Sequence, residues 1–196
     1  MTAAWVAALE PDAPDLVAAW RELGDGRLIA GRREVRRRAG EGTAERIAGQ
    51  LAVMADALTE IVDGLADGDL RRDGGESGWN VAQAIGHVAD SRAGLCLAAS
   101  KAAAGQWPSD APSVVQGIPG PADADRATLL RKIAQSQRIV ERAARTVAGH
   151  EMEPCPLDHP QVGRLRCGEW LLFAGVHDLM HLDQLHGLIA RKEIPS

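Results

Sequence analysis

From Thr43 onward the apolar residues fall into long helical repeats. Ile47, Leu51, Met54, Leu58, Ile61 and Leu65 recur at alternating four- and three-residue steps, the narrow seam of a helix packed in a left-handed bundle. This predicts a first bundle helix from about Ala44 to Leu65, followed by a Gly- and Asp-rich connector through Gly78. Asn80 then predicts the N-cap of a second helix, because its side chain can accept from the first-turn amides while Gln83 reaches back as in a capping box. Trp79 precedes the cap as a hydrophobic staple. Leu129, Ile133, Val140 and Val147 share one stripe of a third helix, from about Asp123 to Ala148. The fourth covers Glu169 to Ala190. No alternating strand pattern of useful length is present, so the expected class is all-α: a four-helix bundle with long crossover connections.

Residues 1–42 are expected to form an N-terminal helical extension, with 43–196 as the bundle. Within the extension, Leu16, Val17, Trp20 and Leu23 lie at helical spacing behind Pro14, and Gly24-Asp25-Gly26 is a stop signal. Leu28 and Val35 support a second short helix across an Arg-rich run. Two connections stand out. The Pro- and Gly-rich stretch from about Gly105 to Pro121 is long for a bundle hairpin and suits a crossover or a loop over a pocket. The stretch from Gly149 to Cys167 carries His150, Cys155 and His159.

Composition narrows the class of partner. The 196 residues are 45% hydrophobic and 25% charged, with a formal charge of -5, which argues against a nucleic-acid binder working through general electrostatics. The run from Arg32 to Arg38 is read as a solvated face or connector balanced by nearby acids. Three cysteines give no disulfide framework and point to a reducing compartment. No apolar run approaches membrane-spanning length and no signal peptide opens the chain, so a cytoplasmic protein with no membrane partner is expected.

The chemistry interrupts the apolar stripe of the fourth helix. Trp170, Phe173, His177, His181, Gln184 and Leu188 share one face, and polar groups on such a face must be hydrogen-bonded or coordinate something. His177 and His181, one turn apart, can reach one divalent cation. The best third ligand is His87, which shares a small, polar stripe of the second helix with Asn80, Ser91, Gly94 and Ala98. Three histidines leave a position for water or substrate. Hydrogen-bonded core histidines remain the alternative. No Glu-x-x-His motif supports a di-iron site. Cys155, His159 and Cys167 could form a zinc knot or a Cys-His pair, though without a Cys-x-x-Cys spacing. His186, on the opposite face from His177, is expected to be exposed.

Trp79-Asn80-Val81-Ala82-Gln83 with His87-Val88-Ala89-Asp90, then Gly168-Glu169-Trp170-Leu171 with His177, His181 and Gln184, resembles the DinB-like superfamily of four-helix metalloproteins. Asn80 stands where that family usually has serine, which preserves capping. The resemblance covers about Thr43 to Ala190. It implies a divalent metal, often nickel or zinc, on His87, His177 and His181, and frequently a homodimer. Characterised members include thiol S-transferases using low-molecular-weight thiols such as bacillithiol or mycothiol, and a mycothiol-dependent maleylpyruvate isomerase. The resemblance thus implies a metal-dependent enzyme transferring a thiol to a small-molecule electrophile. In such an enzyme Gln184 or Asp90 could orient water or substrate, and Trp107 or the 105–121 loop could cover the opening. A metal-dependent hydrolase or isomerase, or a non-enzymatic metal-binding stress protein, are the alternatives.

Overall fold

The computed structural model describes residues 3–24, 26–75 and 78–192. Its order is α1 (Ala4–Leu9), α2 (Pro14–Gly24), α3 (Leu28–Arg38), α4 (Ala44–Gly64), a 3-10 turn (Asp69–Arg71), α5 (Val81–Ala103), α6 (Arg126–Val147), β1 (Pro154–His159), β2 (Gly163–Arg166) and α7 (Cys167–Lys192). The architecture is all-α, and α4 to α7 form the bundle. The seam of α4 forms as its spacing predicts: Ile47, Leu51, Met54, Leu58, Ile61 and Leu65 are all buried. So are Leu129, Ile133, Val140 and Val147 of α6. The α5 cap is a full capping box, with the Gln83 amide donating to Asn80 Oδ1 at 2.8 Å and the Asn80 amide donating to Gln83 Oε1 at 3.1 Å.

Packing places α6 and α7 each between α4 and α5, so that α4 and α5 are diagonal. Hydrogen bonds between the ends fix the directions. The Ala44 amide, at the start of α4, donates to Glu151 just beyond α6, whereas Arg126, at the start of α6, donates to the Leu65 carbonyl after α4. Asn80, at the start of α5, donates to the Ala122 carbonyl just before α6, 2.9 Å away. Neighbours α5 and α6 therefore run parallel, and the chain between them must travel back along the bundle. The Pro- and Gly-rich stretch is that crossover.

The stretch before α7 departs from the sequence expectation of a plain loop. Residues of β1 and β2 pair antiparallel, Asp158 with Arg164 and His159 with Gly163, with an irregularity between Pro154 and Asp158. Burial alternates along β1, since Cys155 and Leu157 point inward and Pro154 and Pro156 outward. Prolines at the outward positions disguise the alternation, because they are read as loop residues yet donate no hydrogen bond that an edge strand needs. The hairpin also holds the crossover: the Val115 amide donates to the Asp158 carbonyl at 2.9 Å, and the Asp158 amide to Ser113 at 2.7 Å.

Both short N-terminal helices form where the periodicity predicts them. Asp25 of the stop signal lies outside the described residues, while Gly26 turns with φ 72°. Leu16 and Val17 are fully buried, and α2 packs on α7 so closely that a Cβ on Gly175 would sit 2.5 Å from Leu16. Gln50 of α4 caps α2 from outside, accepting from the Asp15 and Leu16 amides at 3.0 and 3.2 Å. The arginine run is balanced by acids, as expected: Arg37 and Arg38 pair with Glu34, Arg38 with Asp15, and Arg36 with Glu169. Helix α1 had no clear sequence signal. Its Trp5 stacks on His186 with centroids 4.8 Å apart and planes 15° from parallel, so His186 is partly buried and not exposed as its helical face suggested. No described helix is long and apolar enough to cross a membrane.

Candidate metal centre

The bundle brings His87 of α5 and the His177–His181 pair of α7 to one point. One ring nitrogen of each lies within 4.8 Å of one on both others, and the three rings contact each other edge-on with centroids 4.6 to 5.2 Å apart. His87 and His181 are only 7% and 9% exposed. Ligand bonds of about 2.0–2.1 Å to a shared ion therefore need only small side-chain adjustments.

Tautomers follow from the partners. A carbonyl can only accept, so the 2.7 Å contact between His87 Nδ1 and the Ile118 carbonyl makes Nδ1 the protonated nitrogen and puts the lone pair on Nε2. His181 Nδ1 lies 2.8 Å from Gln184 Oε1. The orientation of that amide is set on its other side, where Gln184 Nε2 donates to the Gly74 carbonyl. His181 thus donates through Nδ1 and also presents its lone pair on Nε2. Such outer hydrogen bonds orient metal-binding histidines generally. His177 differs: its Nδ1 is buried and has no hydrogen-bond partner among the described residues. Burial, and then the neighbouring imidazoles His181 and His87, hold its pKa well below the usual histidine range, so it is neutral. A neutral imidazole with an unsatisfied buried nitrogen beside two oriented lone pairs fits a divalent cation better than it fits a hydrogen-bonded core.

The surroundings sort the other candidates. Trp79 packs on His87 at 5.0 Å between centroids. Gln184 orients His181. Asp90 is exposed and its carboxylate pairs with Lys132 at 2.7 Å, so it does not face the histidines. The crossover does reach the centre. Gly120 lies against Gly86, where a Cβ would come within 2.6 Å of the Gly86 Cα, and its amide donates to the Gln83 carbonyl at 3.0 Å; this contact carries Ile118 onto His87. Ile118 and Gly74 act through backbone carbonyls, which no side-chain pattern announces. Ser91 Oγ lies 3.3 and 3.4 Å from the two His87 nitrogens. Together, Ser91 and Ile118 also line a cavity of about 410 Å³ between α5 and the crossover, whose wall includes Trp107.

Behind the histidines is a feature the sequence pattern did not show. Arg92 and Asp178 are fully buried, with Arg92 Nε 3.0 Å from Asp178 Oδ2. Arg92 also donates to the Leu51 carbonyl at 2.6 Å and to Gln137 Oε1 at 3.1 Å, so one guanidinium from α5 reaches each of the other three bundle helices. Burial pushes the Asp178 carboxyl up to about 7 against the pull of Arg92.

The cysteine alternatives fail. Among the described residues, Cys155, His159 and Cys167 are not drawn together as ligands; His159 packs instead on Phe173 at 4.8 Å. Burial raises the Cys155 thiol and pushes Cys167 up to about 12, the reverse of what a cysteine nucleophile requires.

Comparison with curated proteins and with solved structures gives no match. A family model described as the DinB superfamily does match, over residues 50–185, a span that runs from α4 through α7 and contains all three histidines. With the bundle order and the histidine cluster in the same span, the chain belongs to the DinB superfamily.

Proposed function

We propose that this chain is a divalent-metal-dependent enzyme that transfers a low-molecular-weight thiol to an electrophilic small molecule, with His87, His177 and His181 holding a zinc or nickel ion. The observation carrying the proposal is the neutral His177 beside two imidazoles whose Nδ1–H groups are engaged elsewhere. A bound divalent ion would supply Lewis acidity, stabilising a thiolate or hydroxide at neutral pH.

The protein's own residues would supply position. Ile118 and Gln184 hold His87 and His181 in one tautomer each, and Trp79 keeps water from one side of His87. In the net reaction the thiol sulfur forms a bond to the electrophilic carbon. The thiol proton passes to solvent, and the displaced group leaves with its bonding pair. Ser91, between the histidines and the cavity, would meet the electrophile. A purely structural metal would suit a closed, dry surround less well served by a cavity sharing two residues with the centre.

Elemental analysis of untagged protein should find one divalent ion per chain, lost in His177→Ala. Turnover of an electrophile panel should require a small thiol. Turnover without any thiol would instead favour the hydrolase, and absence of a stoichiometric metal would remove the basis of both. The homodimer is part of the same proposal, and light scattering of the holo protein should give twice the chain mass.

A further inference from the structure

We propose that the 410 Å³ cavity between α5 and the crossover binds a small amphipathic monoanion, its carboxylate at Lys101 and its apolar body running toward Ser91. A cavity of this size falls in the range of small-molecule sites. Its floor is the small-residue side of α5, Ser91, Gly94 and Ala98, and its wall is apolar, with Trp107 and Leu157 on the far side.

Two further observations point to such a ligand. Leu97, Val114 and Ile118, which also line this cavity, stay 47%, 45% and 63% exposed, an apolar cluster of the kind that marks a binding surface. Charge sets the sign. Asp90 is neutralised by Lys132 at 2.7 Å, whereas Lys101 has no ion-pair partner among the described residues, which leaves one uncompensated cation on an apolar wall. Ten residues of helix separate Ser91 from Lys101, about 15 Å of axis, the length of a chain of about ten carbons with its carboxylate. The far end of the ligand then meets Ser91, whose Oγ lies 3.3 Å from His87 Nδ1. That this ligand is the electrophile rests on the function proposed above; that it binds does not.

Calorimetric titration of the full chain with decanoate and with decylammonium tests the site. Decanoate should bind one per chain and about tenfold or more tighter than decylammonium, a difference of about 1.4 kcal/mol. Lys101→Met should erase that preference. Gly94→Leu should abolish binding of both, and it should fold normally, because a Cβ at Gly94 meets nothing within 4 Å and leucine favours helix over glycine. Circular dichroism and metal content should match the parent in both variants. No decanoate binding, or binding indifferent to both substitutions, overturns the proposal. So does a dimer that Leu97→Asp splits while decanoate fails to bind, since a second copy of the chain would then be the occupant. Decanoate binding of the expected kind in protein that takes up neither zinc nor nickel supports the site while removing the metalloenzyme reading.

Discussion

Gln184 does for His181 what no apolar residue could. Its Oε1 accepts the Nδ1–H while its Nε2 is held by Gly74, so both the ring angle and the tautomer are fixed. Gln184→Leu should leave the helix intact and lower metal affinity about 10- to 100-fold, the usual cost of losing an outer hydrogen bond, as measured by competition with a chelator. The thiols behave oppositely to a reactive site. Burial pushes the Cys96 and Cys167 thiols up to about 12, well above the ordinary cysteine range. A thiol whose pKa is higher in the folded than in the unfolded chain contributes stability that is fully present below the unfolded pKa and is lost as pH rises toward the folded one. Urea midpoints should therefore fall above about pH 9, and Ellman's reagent at pH 8 should label the native protein far more slowly than the unfolded chain. His177, His181 and Gln184 were visible in the sequence because each interrupts an apolar stripe at helical spacing, and His87 because it sits on a small, polar stripe of its own helix. Ile118 and Gly74 were not, since any residue type offers the same carbonyl.

At the scale of elements, the contact between Gly86 and Gly120 decides whether the crossover reaches the centre. A methyl on Gly86 would meet Gly120 Cα at 3.0 Å and the Pro121 ring at 3.1 Å, backbone on one side and a stiff ring on the other. Gly86→Ala should therefore gain helix propensity yet lose about 1–3 kcal/mol net by crowding the loop, read by chemical denaturation, and loosen the Ile118 hold on His87. The four bundle helices were foreseeable because each carries a repeat of eleven residues or more. The β1–β2 hairpin and α1 were not. Pro154 and Pro156 occupy the outward positions of β1, and α1, six residues long, is too short for a repeat to establish itself.

Across the whole molecule, Arg92 and Asp178 join the packing of the bundle to the helix face that bears His177. Removing one partner leaves a buried charge uncompensated, so Arg92→Met should cost about 3–5 kcal/mol. Replacing both, as Arg92→Met with Asp178→Leu, should recover most of it, which a double-mutant cycle on denaturation free energies would show. Metal removal is a different perturbation. The apolar seams of α4 and α6 are continuous without any ligand, so the apo protein should stay folded, and saturating metal at 1,000 times its Kd should add about 4 kcal/mol, seen as a raised melting temperature absent in His177→Ala.

The parallel run of α5 and α6 has a consequence for how such a protein can change. A helix of this length spans about 33 Å, which a fully extended chain recrosses in about ten residues. Segment 104–125 is about twice that long. It is tied down by Gly120 at one end and by the Asp158 pairing of Ser113 and Val115 in its middle, so the surplus ahead of Ser113 is free to lengthen, shorten or exchange side chains without disturbing a single bundle helix or the Ile118 hold on His87. Diversification of what the protein accepts can therefore proceed in that segment alone, while the histidine-bearing scaffold stays constant.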